Sequence, residues 1–128
     1  MTRRDTILLV EDDDLSRDAL WRRLERRGFR VLPAIDGDEA LTIAETAGPD
    51  LILMDLGLPC RDGSSVTRLL KSHPSTSGIP IIVVSAHLGV EDRQAVRALG
   101  GDAVHPKPVQ FESLLQEIGE LLGRQAGG

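Results

Sequence analysis

The chain has 128 residues, 41% of them hydrophobic, and a net charge of −5; that is one domain's worth of sequence and argues against a nucleic-acid-binding surface. With two Phe, one Trp and no Tyr the core must be aliphatic, and the single cysteine, Cys60, excludes an intramolecular disulfide, as suits a reducing cytoplasm. No apolar run approaches the ~18 residues that a membrane span needs, and the run after Met1–Asp5 is too short for a signal peptide.

Taken in order, Thr6–Val10 is an apolar, β-branched run that predicts a first strand ending on Glu11-Asp12. Leu15–Arg27 predicts a helix, with Asp13 or Asp14 as its cap and Gly28 at its close. Its arginines, Arg17, Arg22, Arg23, Arg26 and Arg27, read as a solvated face. Phe29–Ala34 is a second strand, and Pro33, which cannot donate to a ladder, predicts an edge position. Asp38–Ala47 is helical and ends at Gly48-Pro49. Leu51–Met54 is apolar throughout, as expected of a strand buried on both faces, and it stops at one carboxylate, Asp55. Ser64–Ser72 is a short helix, His73–Pro80 a loop, and Ile81–Ser85 a fourth buried strand. A helix over Glu91–Leu99, a short strand at Ala103–His105 and an amphipathic helix over Phe111–Leu122 complete the chain. The expected organisation is a domain over 1–123 and a flexible tail over 124–128.

Five β-α alternations predict an α/β fold, a doubly wound parallel sheet with helices on both faces. In such sheets ligands bind at the carboxyl ends of the strands. Strand one delivers Glu11 and Asp12 there, strand three Asp55 and strand four Ser85, with Lys107 just past strand five. Carboxylates gathered on one rim repel unless a cation sits among them. Mg²⁺ suits oxygen ligands and leaves positions for water and phosphate. A carboxylate is also a competent nucleophile toward phosphorus, and an ammonium and a hydroxyl could stabilise the transferred group.

These residues carry a family resemblance. Ile7-Leu-Leu-Val-Glu-Asp-Asp13, Asp36-Gly-Asp-Glu-Ala-Leu41, Met54-Asp-Leu-Gly-Leu-Pro59 with Asp62-Gly63, Val83-Val-Ser-Ala86, Ala98-Leu-Gly100 and Lys107-Pro108 together resemble the receiver domain of bacterial two-component response regulators, over Ile7 to Leu122. The resemblance implies a five-stranded sheet in the flavodoxin-like order 2-1-3-4-5. It implies Asp55 as phosphoacceptor, Lys107 as phosphoryl-binding lysine and Ser85 as switch hydroxyl. Mg²⁺ would lie on Asp12, Asp55 and the Gly57 carbonyl, with Glu11 alongside. It further implies a cis Lys107–Pro108 bond and a cytoplasmic signalling role. A histidine kinase or phosphotransfer protein would be the donor, a further protein would read the output, and neither nucleic acid nor membrane would be bound directly. Dimers would form through the face of the fourth helix, fifth strand and last helix, or through the first helix. Val104 departs from the family, which often has Tyr or Phe there, swinging inward on activation.

Two other readings use the same residues. An aspartate-nucleophile phosphatase would need a second Asp two places after the nucleophile, where Gly57 stands. A phosphorylation-independent interaction module on the same fold would leave the five site residues without a purpose.

Overall fold

Side chains on a strand alternate between its faces, so an apolar run of five residues can feed two cores at once. In the computed structural model, which describes residues 4–56, 63–85, 94, 97, 98 and 100–127 (the last four by backbone alone), five strands do this. They are β1 (Thr6–Val10), β2 (Arg30–Ala34), β3 (Leu51–Asp55), β4 (Ile81–Ser85) and β5 (Ala103–Pro106), joined in one parallel sheet in the order β2-β1-β3-β4-β5. Leu8, Val10, Ile52, Met54, Ile81 and Val83 point to one face. There they pack on Ala40 and Ala44 of α2 (Gly37–Ala47) and on Val66 and Leu70 of α3 (Gly63–Ser72). Ile7, Leu9, Leu51, Leu53 and Ile82 point to the other face. They meet Leu24 of α1 (Asp14–Arg26) and Phe111, Leu114, Ile118 and Leu121 of α4 (Phe111–Gly127). The predicted fold class and strand order are therefore observed, and β2, which carries Pro33, is an edge strand.

Local chemistry sets the helix starts. Asp13 caps α1 by accepting the Ser16 amide at 2.8 Å, and Asp36 caps α2 by accepting the Glu39 amide at 2.8 Å. Trp21 is half-buried and packs at the edge of the α1–α4 core. Above it Arg23 and Arg27 lie over the Phe111 ring, 4.5 and 5.7 Å from its centroid, so these two arginines tie α1 to α4 rather than only meeting solvent.

Several boundaries differ from expectation by one residue, and the end of the last helix by more. β5 continues to Pro106, and α4 runs through Gly123 to Gly127, across most of the tail expected from residue 124. Glycine inside a helix costs only about 1 kcal/mol relative to alanine. A glycine stop uses a left-handed backbone, which among the described residues occurs at Gly28, Gly48 and Gly100 and not at Gly123. The helix expected over 91–99 lies mostly outside the described residues; residues 94, 97 and 98 are helical.

The chain leaves β1 toward β2 on one side and returns past β1 to β3 on the other. The carboxyl ends of β1 and β3 therefore flank the crevice at the point where the winding reverses, where ligands bind in sheets of this type.

Candidate functional site

Two neighbouring parallel strands with matched registers end side by side. Val10 is the partner of Met54, so Glu11 and Asp55, each one residue further on, emerge together. Glu11 is held in place by its amide, which donates to the Ala34 carbonyl at 3.0 Å. Both carboxylates are buried, at 6% and 8% exposure, whereas Asp12 is exposed. Asp55 needs a glycine behind it. A Cβ at Gly63 would lie 2.3 Å from the Asp55 carbonyl oxygen and 2.7 Å from Leu56 Cα, so only glycine lets the start of α3 close on the end of β3. The Gly63 amide donates to the Leu56 carbonyl at 3.2 Å across that contact.

Lys107 arrives from beyond β5, with the Lys107–Pro108 peptide bond cis as the resemblance implies. Its amide donates to the Ser85 carbonyl at 2.8 Å, and its ammonium donates to Glu11 Oε1 at 2.8 Å and to Asp55 Oδ2 at 3.0 Å. Ser85 is half-buried at the end of β4, one residue past Val84, the register partner of Asp55. Carboxylate oxygens of Glu11, Asp12 and Asp55 all lie within 4.8 Å of one another. Of the residues expected at the site, Glu11, Asp12, Asp55 and Lys107 are thus brought together and Ser85 stands on the adjacent strand. Gly57 lies outside the described residues, as does Cys60.

Charge at the site is only partly balanced. Burial, then the hydrogen bond shared with Asp55, pushes the Glu11 carboxyl above the ordinary glutamate range, against the pull of Lys107 and of the Asp13 amide. Burial alone would lower the Lys107 ammonium, but its bonds to Glu11 and Asp55 outweigh that and hold it above the usual lysine value. Two buried carboxylates therefore share one ammonium, with a third carboxylate within reach of both. This donor set, three hard oxygens with surplus negative charge, fits a Mg²⁺ ion held by Asp12 and Asp55, with Glu11 adjacent.

Three features escaped sequence reading. Lys107 grips Glu11 as firmly as Asp55, a pairing across 96 residues that no local pattern reveals. Lys71 ties α3 to the sheet by donating to the Ile79 carbonyl at 2.8 Å and to Asp102 Oδ2 at 2.9 Å, and the same Asp102 oxygen accepts the Ile81 amide. A crevice of about 520 Å³, lined in part by Leu9, Leu20, Leu53 and Val109, opens between α1 and the β5–α4 connection beside Glu11, Asp55 and Lys107.

Residues 7–119 match the response regulator receiver domain. The chain belongs to the response regulator receiver family. It is 38% identical over 118 residues to the response regulator MprA of Mycolicibacterium vanbaalenii, and 39% identical over 118 residues to MprA of Mycobacterium leprae. Those alignments cover 92% of this chain but only 50% and 51% of the relatives, so the receiver spans about half the length of the curated proteins it matches. Among solved structures, a putative response regulator from Chloroflexus aurantiacus superposes with a TM-score of 0.90 at 28% identity, covering 94% of this chain and 99% of that one. The receiver domain of the sensor histidine kinase PA1611 from Pseudomonas aeruginosa, with a magnesium ion coordinated in its active-site cleft, superposes at 0.87 with 31% identity, covering 94% and 99%. Receivers thus occur both in response regulators and within sensor kinases. No helix among the described residues of this receiver is long and apolar enough to cross a membrane.

Proposed function

We propose that the receiver, over residues 1–123, accepts a phosphoryl group on Asp55 and signals by the change this makes at its carboxyl-end rim. The observation that carries the reading is the Lys107 ammonium bridging Glu11 and Asp55 beside Asp12, an anion-rich crevice already fitted with a counter-charge. An Asp55 oxygen attacks phosphorus, an O–P bond forms, and the P–N bond to a donor imidazole, or the P–O bond of a small acyl phosphate, breaks. The leaving group departs with the bonding electrons. Lys107, already on Asp55 Oδ2, is placed to pair with the oxygens of the transferred group. Glu11 and Asp12 supply the negative charge that recruits the metal, and Mg²⁺, when bound, contributes neutralisation of charge on the phosphoryl oxygens. The Ser85 hydroxyl at the end of β4 then bonds the new phosphoryl group, and the segment after β4 shifts between two populations. Val104, half-buried against the α2–α3 core, is β-branched and has no aromatic rotamer to exchange, so the report of phosphorylation passes through Ser85.

The donor is a histidine kinase or a phosphotransfer protein, and the setting is the cytoplasm. The receiver is a phosphoacceptor rather than a turnover enzyme, because the residue two places beyond Asp55 is Gly57 and cannot act as an acid or base. Incubation with a labelled acyl phosphate tests this. Label is expected on the protein in Mg²⁺ and not in EDTA, at no more than one phosphoryl group per chain. Equal labelling under both conditions would refute it.

A further inference from the structure

Arg17 sits among the arginines of α1, yet only 13% of its side chain is exposed, against 51% for Arg27 just past the end of that helix. It turns back from the second turn of α1 over the β1–α1 connection. There Nη1 donates to the Glu11 carbonyl at 3.0 Å and, at longer range, to the Asp12 carbonyl at 3.5 Å, while Nη2 meets Asp14 Oδ1 at 2.5 Å. Glu11 and Asp12 lie past the end of β1 and before the start of α1, and among the described residues neither carbonyl takes part in a strand ladder or a helix bond. A planar guanidinium spans three acceptors at once; a lysine ammonium carries its donors at one point and lacks that fork.

We propose that Arg17 is a positioning residue that fixes the backbone carrying Glu11 and Asp12, and so the arrangement of their carboxylates around a divalent cation. The proposal rests on the reading of Glu11, Asp12 and Asp55 as a Mg²⁺ site. Positioning and simple charge make opposite forecasts. As a nearby positive charge Arg17 repels Mg²⁺, so its neutralisation would tighten metal binding. As a positioning residue it orders the ligands, and its loss weakens binding. Groups that orient metal ligands typically contribute 10–100-fold in affinity.

The test is Mg²⁺ titration of the full chain, followed through Trp21 fluorescence or by calorimetry, for the parent, Arg17→Met and Arg17→Lys. Both variants are expected to bind Mg²⁺ about tenfold more weakly, because Lys keeps the charge and loses the fork. Tighter binding by Arg17→Met with parent-like binding by Arg17→Lys would overturn the proposal in favour of charge alone. Metal-free backbone order parameters give a second, independent readout: they should fall at residues 11–14 in both variants and stay unchanged in β3 and β4. Unchanged values at 11–14 would overturn the proposal. A parent that takes up no Mg²⁺ would overturn the site reading instead, while a loss of order at 11–14 would still uphold the backbone role of Arg17.

Discussion

Asp55→Asn is expected to take up no phosphoryl group from any donor while folding as the parent does. The amide is close to isosteric, and the backbone of β3 is held by ladders to β1 and β4 that the side chain does not enter. The nucleophilic oxygen, however, becomes an amide oxygen with no charge to donate, and one of the two carboxylates gripped by Lys107 is lost. Nothing else at the rim substitutes readily. Glu11 is buried against Lys107 with its carboxyl held above the ordinary range, and Asp12 is exposed on the loop. Labelling with a small acyl phosphate in Mg²⁺, read by intact-protein mass, checks the prediction. A far-ultraviolet spectrum and a thermal melt matching the parent would show that the loss is chemical and not a loss of fold.

The second large effect concerns the metal. In the absence of Mg²⁺, Asp12 brings a third carboxylate to two buried ones that share one ammonium, so Asp12→Ala relieves repulsion and leaves the metal-free protein no less stable. In its presence the outcome reverses. An ion that binds only the folded chain adds about 2.7 kcal/mol at a concentration roughly a hundredfold above its Kd. The parent should gain that stability and Asp12→Ala should gain little of it. Melts of both proteins with and without Mg²⁺ decide the matter. Equal Mg²⁺-induced shifts in parent and variant would remove Asp12 from the site.

The strands, the parallel sheet and its two covered faces were legible because they depend on short-range patterns: unbroken apolar runs such as Leu51–Met54 for strands buried on two faces, and the spacing of Phe111, Leu114 and Ile118 for the last helix, whereas the strand order followed only from the family resemblance. Pro33 marked an edge strand by removing a single donor. Most of the candidate site was legible for a related reason. In a parallel sheet each strand end is fixed by the end of its apolar run, so Glu11, Asp55 and Ser85 could be placed on one rim without coordinates. Side-chain reach was not legible. Arg17 and its neighbours on α1 look alike in a charge pattern, yet Arg17 folds back onto the β1–α1 connection while Arg23 and Arg27 lie on Phe111. The bond from Lys107 to Glu11 and the tie from Lys71 to Asp102 likewise depend on where distant loops come to rest. The last helix extends past Leu122, where its apolar spacing ends, to Gly127, because backbone bonding can continue beyond the residues that pack.

The most direct measurement is to trap the product and find its position. The receiver is phosphorylated with an acyl phosphate in Mg²⁺, reduced with borohydride, which converts an aspartyl phosphate to a stable alcohol, and digested for peptide mass mapping. The reduced residue is predicted at position 55 alone. A reduced residue at Asp12 or Asp13, or a phosphoryl group found on a histidine with Asp55 unmodified, would contradict the account.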